Sequence, residues 1–274
     1  MSDHSNSSTF YCLVPCGKCA NCLRNRSNQW TFRLEKELDA SVCALFVTLT
    51  YDDDHLPLVH PDGSFSRFPD FEYSAPADVH VSVCRRDVQL FLKRLRKTTH
   101  LPVRYFLTSE YGEHFGRPHY HMILFNYDKS FEMVESCWKN GFVRCGSVTP
   151  ASIRYVSKYF VTPQEVIPKG ALKPFSLCSK GLGLSYLTPE MVQYISDHRS
   201  RPYLLDNDGE KVSFPRYFRK KLPFALDLKN DFSDVFQSYS DSYCDPFLAA
   251  NRFNCDVLSS NLLFSKNRKK SYDL

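Results

Sequence analysis

A chain of 274 residues, 43% of them hydrophobic and 24% charged, can bury a substantial core and is neither disordered nor fibrous in composition. Its formal net charge of +5 is too small to mark a nucleic-acid binder by itself, and its longest apolar runs, such as Ala44–Leu49, are too short to cross a bilayer. The polar start Met1–Thr9 lacks the apolar stretch of a secretion signal, so the expectation is a soluble protein of the cytosol.

Taken in chain order, the first feature is Cys12-x₃-Cys16-x₂-Cys19-x₂-Cys22, four soft ligands within eleven residues. Four thiolates suit a structural zinc ion, and reduced free thiols are the alternative. The first three also match the Cys-x₃-Cys-x₂-Cys spacing of iron–sulfur radical enzymes. That reading needs a Gly-rich cofactor stretch and a large α/β barrel, and the sequence shows neither. Cys43, Cys84, Cys137, Cys145 and Cys178 are scattered through hydrophobic runs and read as reduced, mostly buried thiols.

Leu23, Trp30, Leu34 and Leu38 recur at helical spacing and predict an amphipathic helix over 23–40. Cys43–Tyr51, rich in β-branched and aromatic residues, predicts a strand. Residues 52–80, with Pro57, Pro61, Gly63, Pro69 and Pro76, predict an irregular insertion. Over 84–98 the stripe Val88, Phe91, Leu92 and Leu95 predicts a second amphipathic helix. Arg85, Arg86, Lys93, Arg94, Arg96 and Lys97 crowd it, with Asp87 the lone acid among them. Those cations are either a solvated face or, with 22 Phe and 16 Tyr available for base stacking, a DNA-phosphate contact surface.

Val103–Glu110 predicts a strand, Gly112–Pro118 a turn and His119–Asn126 a returning strand, so the two should form a hairpin. A short helix over 128–139, a strand Gly141–Val148 and a helix Pro150–Val161 complete a β-α-β-β-α-β-α order. The expected fold class is therefore α+β, an antiparallel sheet with helices packed on one face, related to the split βαβ arrangement. The expected divisions are a Cys-rich segment and helix (1–40), a core (41–162) and an accessory region (163–274). Within the last, Asp227–Asp256 is acid-rich, and Lys266, Arg268, Lys269 and Lys270 form a basic tail.

The chemistry-bearing residues lie on the hairpin and the last helix. His119 and His121 at i and i+2 of a strand point the same way, about 6–7 Å apart, and can converge on one cation. Glu110 closes the preceding strand and would come back beside them, leaving coordination positions open for water and a phosphate oxygen. Glu113, inside the turn, is the competing carboxylate. Tyr155 and Tyr159, one helical turn apart, flank Lys158; a nearby cation would favour the phenolate of an otherwise weak nucleophile. The bland alternatives are half-buried strand histidines, solvated turn carboxylates and a core-facing aromatic pair with a snorkelling lysine.

Phe46–Tyr51 (FVTLTY), Glu110–His121 (EYGEHFGRPHYH) and Tyr155–Tyr159 (YVSKY) together resemble the three ordered motifs of HUH endonucleases. The likeness is greatest to the replication initiators of microviruses, the gokushovirus branch in particular. Further matches lie in Pro15–Cys22 (PCGKCANC), Thr48–Pro57 (TLTYDDDHLP), Pro174–Leu177 (PFSL) and Pro215–Phe218 (PRYF). The resemblance covers most of residues 12–220. It implies a Mg²⁺ or Mn²⁺ ion held by His119, His121 and an upstream acid, Glu110. It also implies Tyr155 as first nucleophile, Tyr159 as alternate, and Lys158 as a cation beside the tyrosine or phosphate.

The activity so implied is nicking of single-stranded origin DNA in the bacterial host's cytoplasm, a 5′-phosphotyrosine link, and rolling-circle replication alongside a host helicase and polymerase. Tyr120 departs from the hydrophobe expected between the two histidines, and its hydroxyl needs a polar neighbour on the face away from the metal. Two rivals remain open. One is a non-catalytic nucleic-acid-binding module whose sheet stacks bases; the other is a thiol-metal scaffold that chelation would unfold.

Overall fold

The computed structural model describes residues 19–67, 78–112, 115–161, 167–199, 201 and 203–223. Cys12, Cys16, Glu113, the acid-rich segment 227–256 and the basic tail lie outside them. Helix α1 (Ala20–Asp39) leads into strand β1 (Ala44–Thr50). The segment expected to be irregular contains β2 (Pro57–Val59), β3 (Phe65–Arg67) and β4 (His80–Val81), a small antiparallel sheet ordered β3-β2-β4. Its strands are two or three residues long, too short to leave a period in the sequence, yet β2 is buried along its whole length.

Helix α2 (Arg85–Thr99) buries Val88, Phe91, Leu92, Leu95 and Thr99 at helical spacing and ends on His100 in the left-handed conformation. Strands β5 (Arg104–Tyr111) and β6 (Pro118–Phe125) form the expected hairpin. Helix α3 (Phe131–Cys137), strand β7 (Val143–Ser147) and helix α4 (Pro150–Val161) follow in the expected order. Beyond them, β8 (Ser176–Cys178) pairs with β5 and completes an antiparallel sheet ordered β7-β1-β6-β5-β8. The chain then forms a 3₁₀ turn (Leu184–Tyr186), α5 (Pro189–Asp197), the hairpin β9 (Tyr203–Leu205)–β10 (Lys211–Ser213), and α6 (Arg216–Arg219).

The α+β class holds, but helices cover both faces of the sheet rather than one. Alternation separates the faces. On one, Val47, Leu49, Leu107, Met122 and Leu124 pack with Val88, Phe91 and Leu95 of α2 and with Val134 of α3. On the other, Phe106, Ile123 and Phe125 pack with Leu34 of α1 and with Ile153 and Val156 of α4. Strands β5 and β6 carry apolar residues on consecutive positions, so both of their faces had to be removed from water.

A third cluster joins α1 to the last described elements, with Phe32 packed among Ile195, Leu204, Val212, Phe214 and Phe218. Glu37 ties the same helix down, taking two hydrogen bonds from Arg104 and one from the Gly183 N–H. Among the described residues there is no disulfide, and no helix is long and apolar enough to cross a membrane.

Candidate active site

The face covered by α1 and α4 changes character along the strands. At one end it carries Ala44, Phe46, Phe106, Ile123 and Phe125; at the other it carries Thr48, Thr50, Thr108, Glu110, His119 and His121. Register places these polar residues in two rows. Thr48, His121 and Thr108 lie side by side across β1, β6 and β5, and Thr50, His119 and Glu110 form the next row.

Helix α4 then brings Tyr155 over the second row, because Ile153 and Val156 are fully buried against the sheet and fix the helix's rotation. The Tyr155 hydroxyl donates to Glu110 Oε1 at 2.9 Å and Oε2 at 3.1 Å, and lies 3.4 Å from His121 Nε2. That same nitrogen is 2.6 Å from Glu110 Oε1. The tyrosine ring stands edge-on to the His121 imidazole at 5.0 Å, while Phe46 stacks on that imidazole at 5.9 Å. Three residues from three elements therefore meet at one point: β5, β6 and α4 each contribute one.

Glu110 is 9% exposed, and burial alone pushes its carboxyl up. The hydrogen bond from His121, that ring's charge and the hydrogen bond from Tyr155 outweigh it, so the carboxyl sits below its ordinary range. Tyr155 is 36% exposed, which leaves its hydroxyl open to a ligand arriving from solvent.

Among the described residues, no three His, Cys, Asp or Glu side chains come together as a ready metal cage. His119 sits beside Glu110 in the register but turns Nδ1 to the Arg117 carbonyl at 2.7 Å. It lies against the bare α-carbon of Gly112, where a Cβ would stand 3.0 Å from its Cε1. The donor chemistry nonetheless fits a divalent ion. Both imidazoles have Nδ1 engaged, His119 on that carbonyl and His121 with Thr48 Oγ1 at 3.1 Å, so each can offer Nε2 as the ligand. Glu110 supplies the hard oxygen that Mg²⁺ or Mn²⁺ prefers.

Lys158 is exposed on α4, three residues after Tyr155. Tyr159 is on the same helix, its side chain outside the described part. Tyr120 points to the opposite face, as its place between the histidines requires. Its hydroxyl accepts from the Cys84 N–H at 2.8 Å and meets the Tyr51 hydroxyl at 3.0 Å. Tyr51 donates in turn to buried Asp87 at 2.7 Å, and Arg67 binds Asp87 through two bonds.

The α2 cations are not gathered at the site. Their helix packs on the other face of the sheet, Arg94 is bonded to the Cys137 carbonyl at 2.8 Å, and Arg85 and Arg96 lie over Phe175 and Tyr105. Arg86, Lys93 and Lys97 are exposed on that far side. An amphipathic pattern identifies the buried stripe of a helix but not the sheet face that receives it. Cys19 caps α1 and Cys22 lies in its first turn.

Two residues on the site's own face carried no motif: exposed Arg144, directly opposite Thr48, and Phe142, 68% exposed and opposite Thr50. Their signal was period-two alternation from the first-strand motif across to β7, legible only once the pairing is known.

Residues 44–164 match the family of replication-associated proteins of the ORF2 type. The chain is 28% identical over 233 residues to Replication-associated protein ORF2 of Spiroplasma virus 4, covering 76% of this chain and 67% of that one. It is 26% identical over 253 residues to Replication-associated protein ORF4 of Chlamydia phage 1, covering 81% of this chain and 57% of that one. It is 28% identical over 236 residues to Replication-associated protein VP4 of Bdellovibrio phage phiMH2K, covering 75% of this chain and 66% of that one. The chain thus spans about three-fifths to two-thirds of the length of these relatives. No solved structure matches it.

Proposed function

We propose, from a chain similar to phage replication-associated proteins, that this protein initiates replication as an endonuclease, nicking single-stranded origin DNA with Tyr155 and rejoining strands at the same site. The observation that carries the reading is the Tyr155 hydroxyl held on Glu110 beside His121. Glu110 is placed to take the phenolic proton as the oxygen attacks phosphorus. The new O–P bond forms as the P–O3′ bond breaks, and the departing 3′ oxygen takes up a proton from solvent. The products are a 5′-phosphotyrosine ester and a free 3′ hydroxyl. Because the ester conserves the broken bond, attack by a 3′ hydroxyl reverses the step without a nucleotide cofactor.

His119, His121 and Glu110 would hold Mg²⁺ or Mn²⁺, which when bound polarises the scissile phosphate as a Lewis acid. Phe46, stacked on His121, and Thr48, on its Nδ1, keep that imidazole in one orientation. Lys158 adds positive charge on the exposed side of α4, where an incoming phosphate has to pass. Tyr159, one turn further, is the second nucleophile for strand exchange. The substrate lies in the phage-infected cell, where a host helicase and polymerase would extend the 3′ end. A structural zinc ion at Cys12, Cys16, Cys19 and Cys22 is a separate proposal, checked by metal analysis of protein purified under reducing conditions.

Incubation with single-stranded origin DNA and Mn²⁺, followed by a denaturing gel, should give a covalent adduct mapping to Tyr155 or Tyr159. An adduct that survives in the Tyr155→Phe/Tyr159→Phe double variant would sink the assignment. The orientation of His119 toward the Arg117 carbonyl favours a second reading, a non-catalytic binder of single strands. That reading predicts salt-sensitive binding, no adduct and no response to chelator.

A further inference from the structure

Helix α1 runs antiparallel to β1. Its last turn, at Glu37, meets Arg104 at the apolar end of the sheet, where Ala44, Phe125 and Arg104 pair across the strands. Its middle residue Trp30 lies on Phe106, with ring centroids 5.1 Å apart. From Phe106 the strand continues roughly 13 Å to Glu110, and from Trp30 the helix continues back about 9 Å to Arg24. The N-terminal half of α1 therefore travels alongside the sheet toward the end that carries Tyr155, Glu110 and His121.

Residues 20–34 hold Arg24, Arg26 and Arg33 and no acid; the first carboxylate of α1 is Glu35. Against this half of the helix the fold seats a second acid-free segment from far along the chain. Residues 211–223 hold Lys211, Arg216, Arg219, Lys220 and Lys221 and no Asp or Glu. The two are joined by specific contacts. Gln29 Nε2 donates to Ser213 Oγ at 3.0 Å, Ser213 also bonds Asn25, and the Arg216 N–H donates to Gln29 Oε1 at 3.4 Å. Phe32 packs edge-on against Phe218.

The cations divide into two kinds. Arg33 is structural: it is buried, bonded to the Leu182 carbonyl and sandwiched between the rings of Trp30 and Tyr217. Arg24, Arg216, Lys220 and Lys221 are exposed, and among the described residues none of them forms an ion pair. Arg219 is half-buried beside Arg216, and burial together with that like charge pulls its guanidinium below its ordinary range. Bringing like charges from segments about 190 residues apart onto one surface is unfavourable unless an anion answers it.

We infer that the surface formed by the N-terminal half of α1 with β10 and α6 is a phosphate-backbone track for DNA flanking the cleaved bond. It rests on the nicking reading only for the choice of DNA as the polyanion. Its chemistry is spaced, flexible monovalent cations around polar Asn25, Gln29 and Ser213, which suits a row of phosphates rather than one bound nucleotide. The α2 cations favoured by sequence pattern do not serve this role, because they face away from the site.

The test is fluorescence anisotropy with a 30-nucleotide single strand and the matching duplex, across a salt series, on the full chain. Each phosphate contact adds about 0.7 to the salt slope for single strands and about 0.9 for duplex. The Arg24→Gln/Arg216→Gln/Lys220→Gln/Lys221→Gln variant should lower that slope by roughly 3 in at least one arm, and the arm affected identifies the strand state carried. Restoring charge with Arg24→Lys and Arg216→Lys in that background should recover roughly half the loss. A charge-matched control, Lys129→Gln/Lys139→Gln/Lys173→Gln/Lys180→Gln, should keep the wild-type slope.

An unchanged slope in both arms, or an equal fall in the control, overturns the inference. The adduct assay is read separately on the wild-type chain. A chain that yields no adduct, yet loses its salt slope only in the first variant, keeps this track and sinks the nicking chemistry.

Discussion

Tyr155 and Glu110, 45 positions apart in sequence, meet through two hydrogen bonds of 2.9 and 3.1 Å from one phenol to both oxygens of one carboxylate. The contact ties the nucleophile's proton to the same group that would carry the ion. The two roles can be separated with Glu110→Gln, which keeps an oxygen to accept from Tyr155 but removes the negative charge. The half-saturating Mn²⁺ concentration for adduct formation should rise at least about tenfold, the scale on which a lost charge contact costs roughly 1.4 kcal/mol. If instead that concentration is unchanged and only the maximal rate falls, Glu110 serves Tyr155 and not the ion.

Thr48 touches neither the phenol nor the carboxylate. It fixes His121 through Nδ1 at 3.1 Å, so Thr48→Val, which keeps the shape and removes the hydroxyl, tests positioning alone. Loss of such a partner costs roughly 10–100-fold in metal affinity or activity. The expected signature is a weaker apparent affinity for Mn²⁺, with a thermal midpoint near wild type because Thr48 is only partly buried. A variant that melts early but binds Mn²⁺ normally would assign Thr48 to packing.

On the far face, Tyr120 and Tyr51 are buried with their hydroxyls in line to Asp87, and burial raises both phenols above their ordinary range. Tyr120→Phe would leave the Cys84 N–H, at the start of α2, without its acceptor. An orphaned buried donor costs about 1–3 kcal/mol, so urea unfolding should move to lower concentration by that amount. Adduct formation at room temperature should be unaffected, because the ring projects away from Tyr155. A drop in catalysis with unchanged stability would contradict this division between the two faces.

How much of this was legible in the sequence depends on what each signal encodes. The β5–β6 hairpin was readable because Gly112, Gly116 and Pro118 interrupt two apolar runs. The covering of both sheet faces was readable in principle from the adjacent apolar pairs Phe106–Leu107 and Met122–Ile123, which no one-sided strand tolerates. Strands β2 and β8 were beyond reach, since three residues cannot display a period. The His, Glu and Tyr side chains could be singled out by type and spacing. Their convergence, and the turning of His119 toward a backbone carbonyl, depend on strand register and on the rotation of α4, which local patterning does not fix. The same reason explains the misplaced α2 cations: a helix's stripe is local, while the sheet face it meets is set by topology.

Register also yields a prediction that no motif suggested. Phe142 exchanges both backbone hydrogen bonds with Thr50, at 2.9 and 3.1 Å, so the two side chains share a face of the sheet, and Thr50 pairs on its other side with His119. A phenylalanine 68% exposed in that position has no core to fill, and its ring can take a base from a strand lying across β7. Stacking of this kind is worth about 1–3 kcal/mol per base, so Phe142→Ala should weaken single-strand binding by that amount. The salt slope should stay constant, because no phosphate contact is removed. Scanning an abasic position along the oligonucleotide locates the partner: at one site the wild type should fall to the level of Phe142→Ala, and the variant should be indifferent there. If every abasic position weakens both proteins equally, the ring stacks on no base, and its exposure on the site's face has another cause.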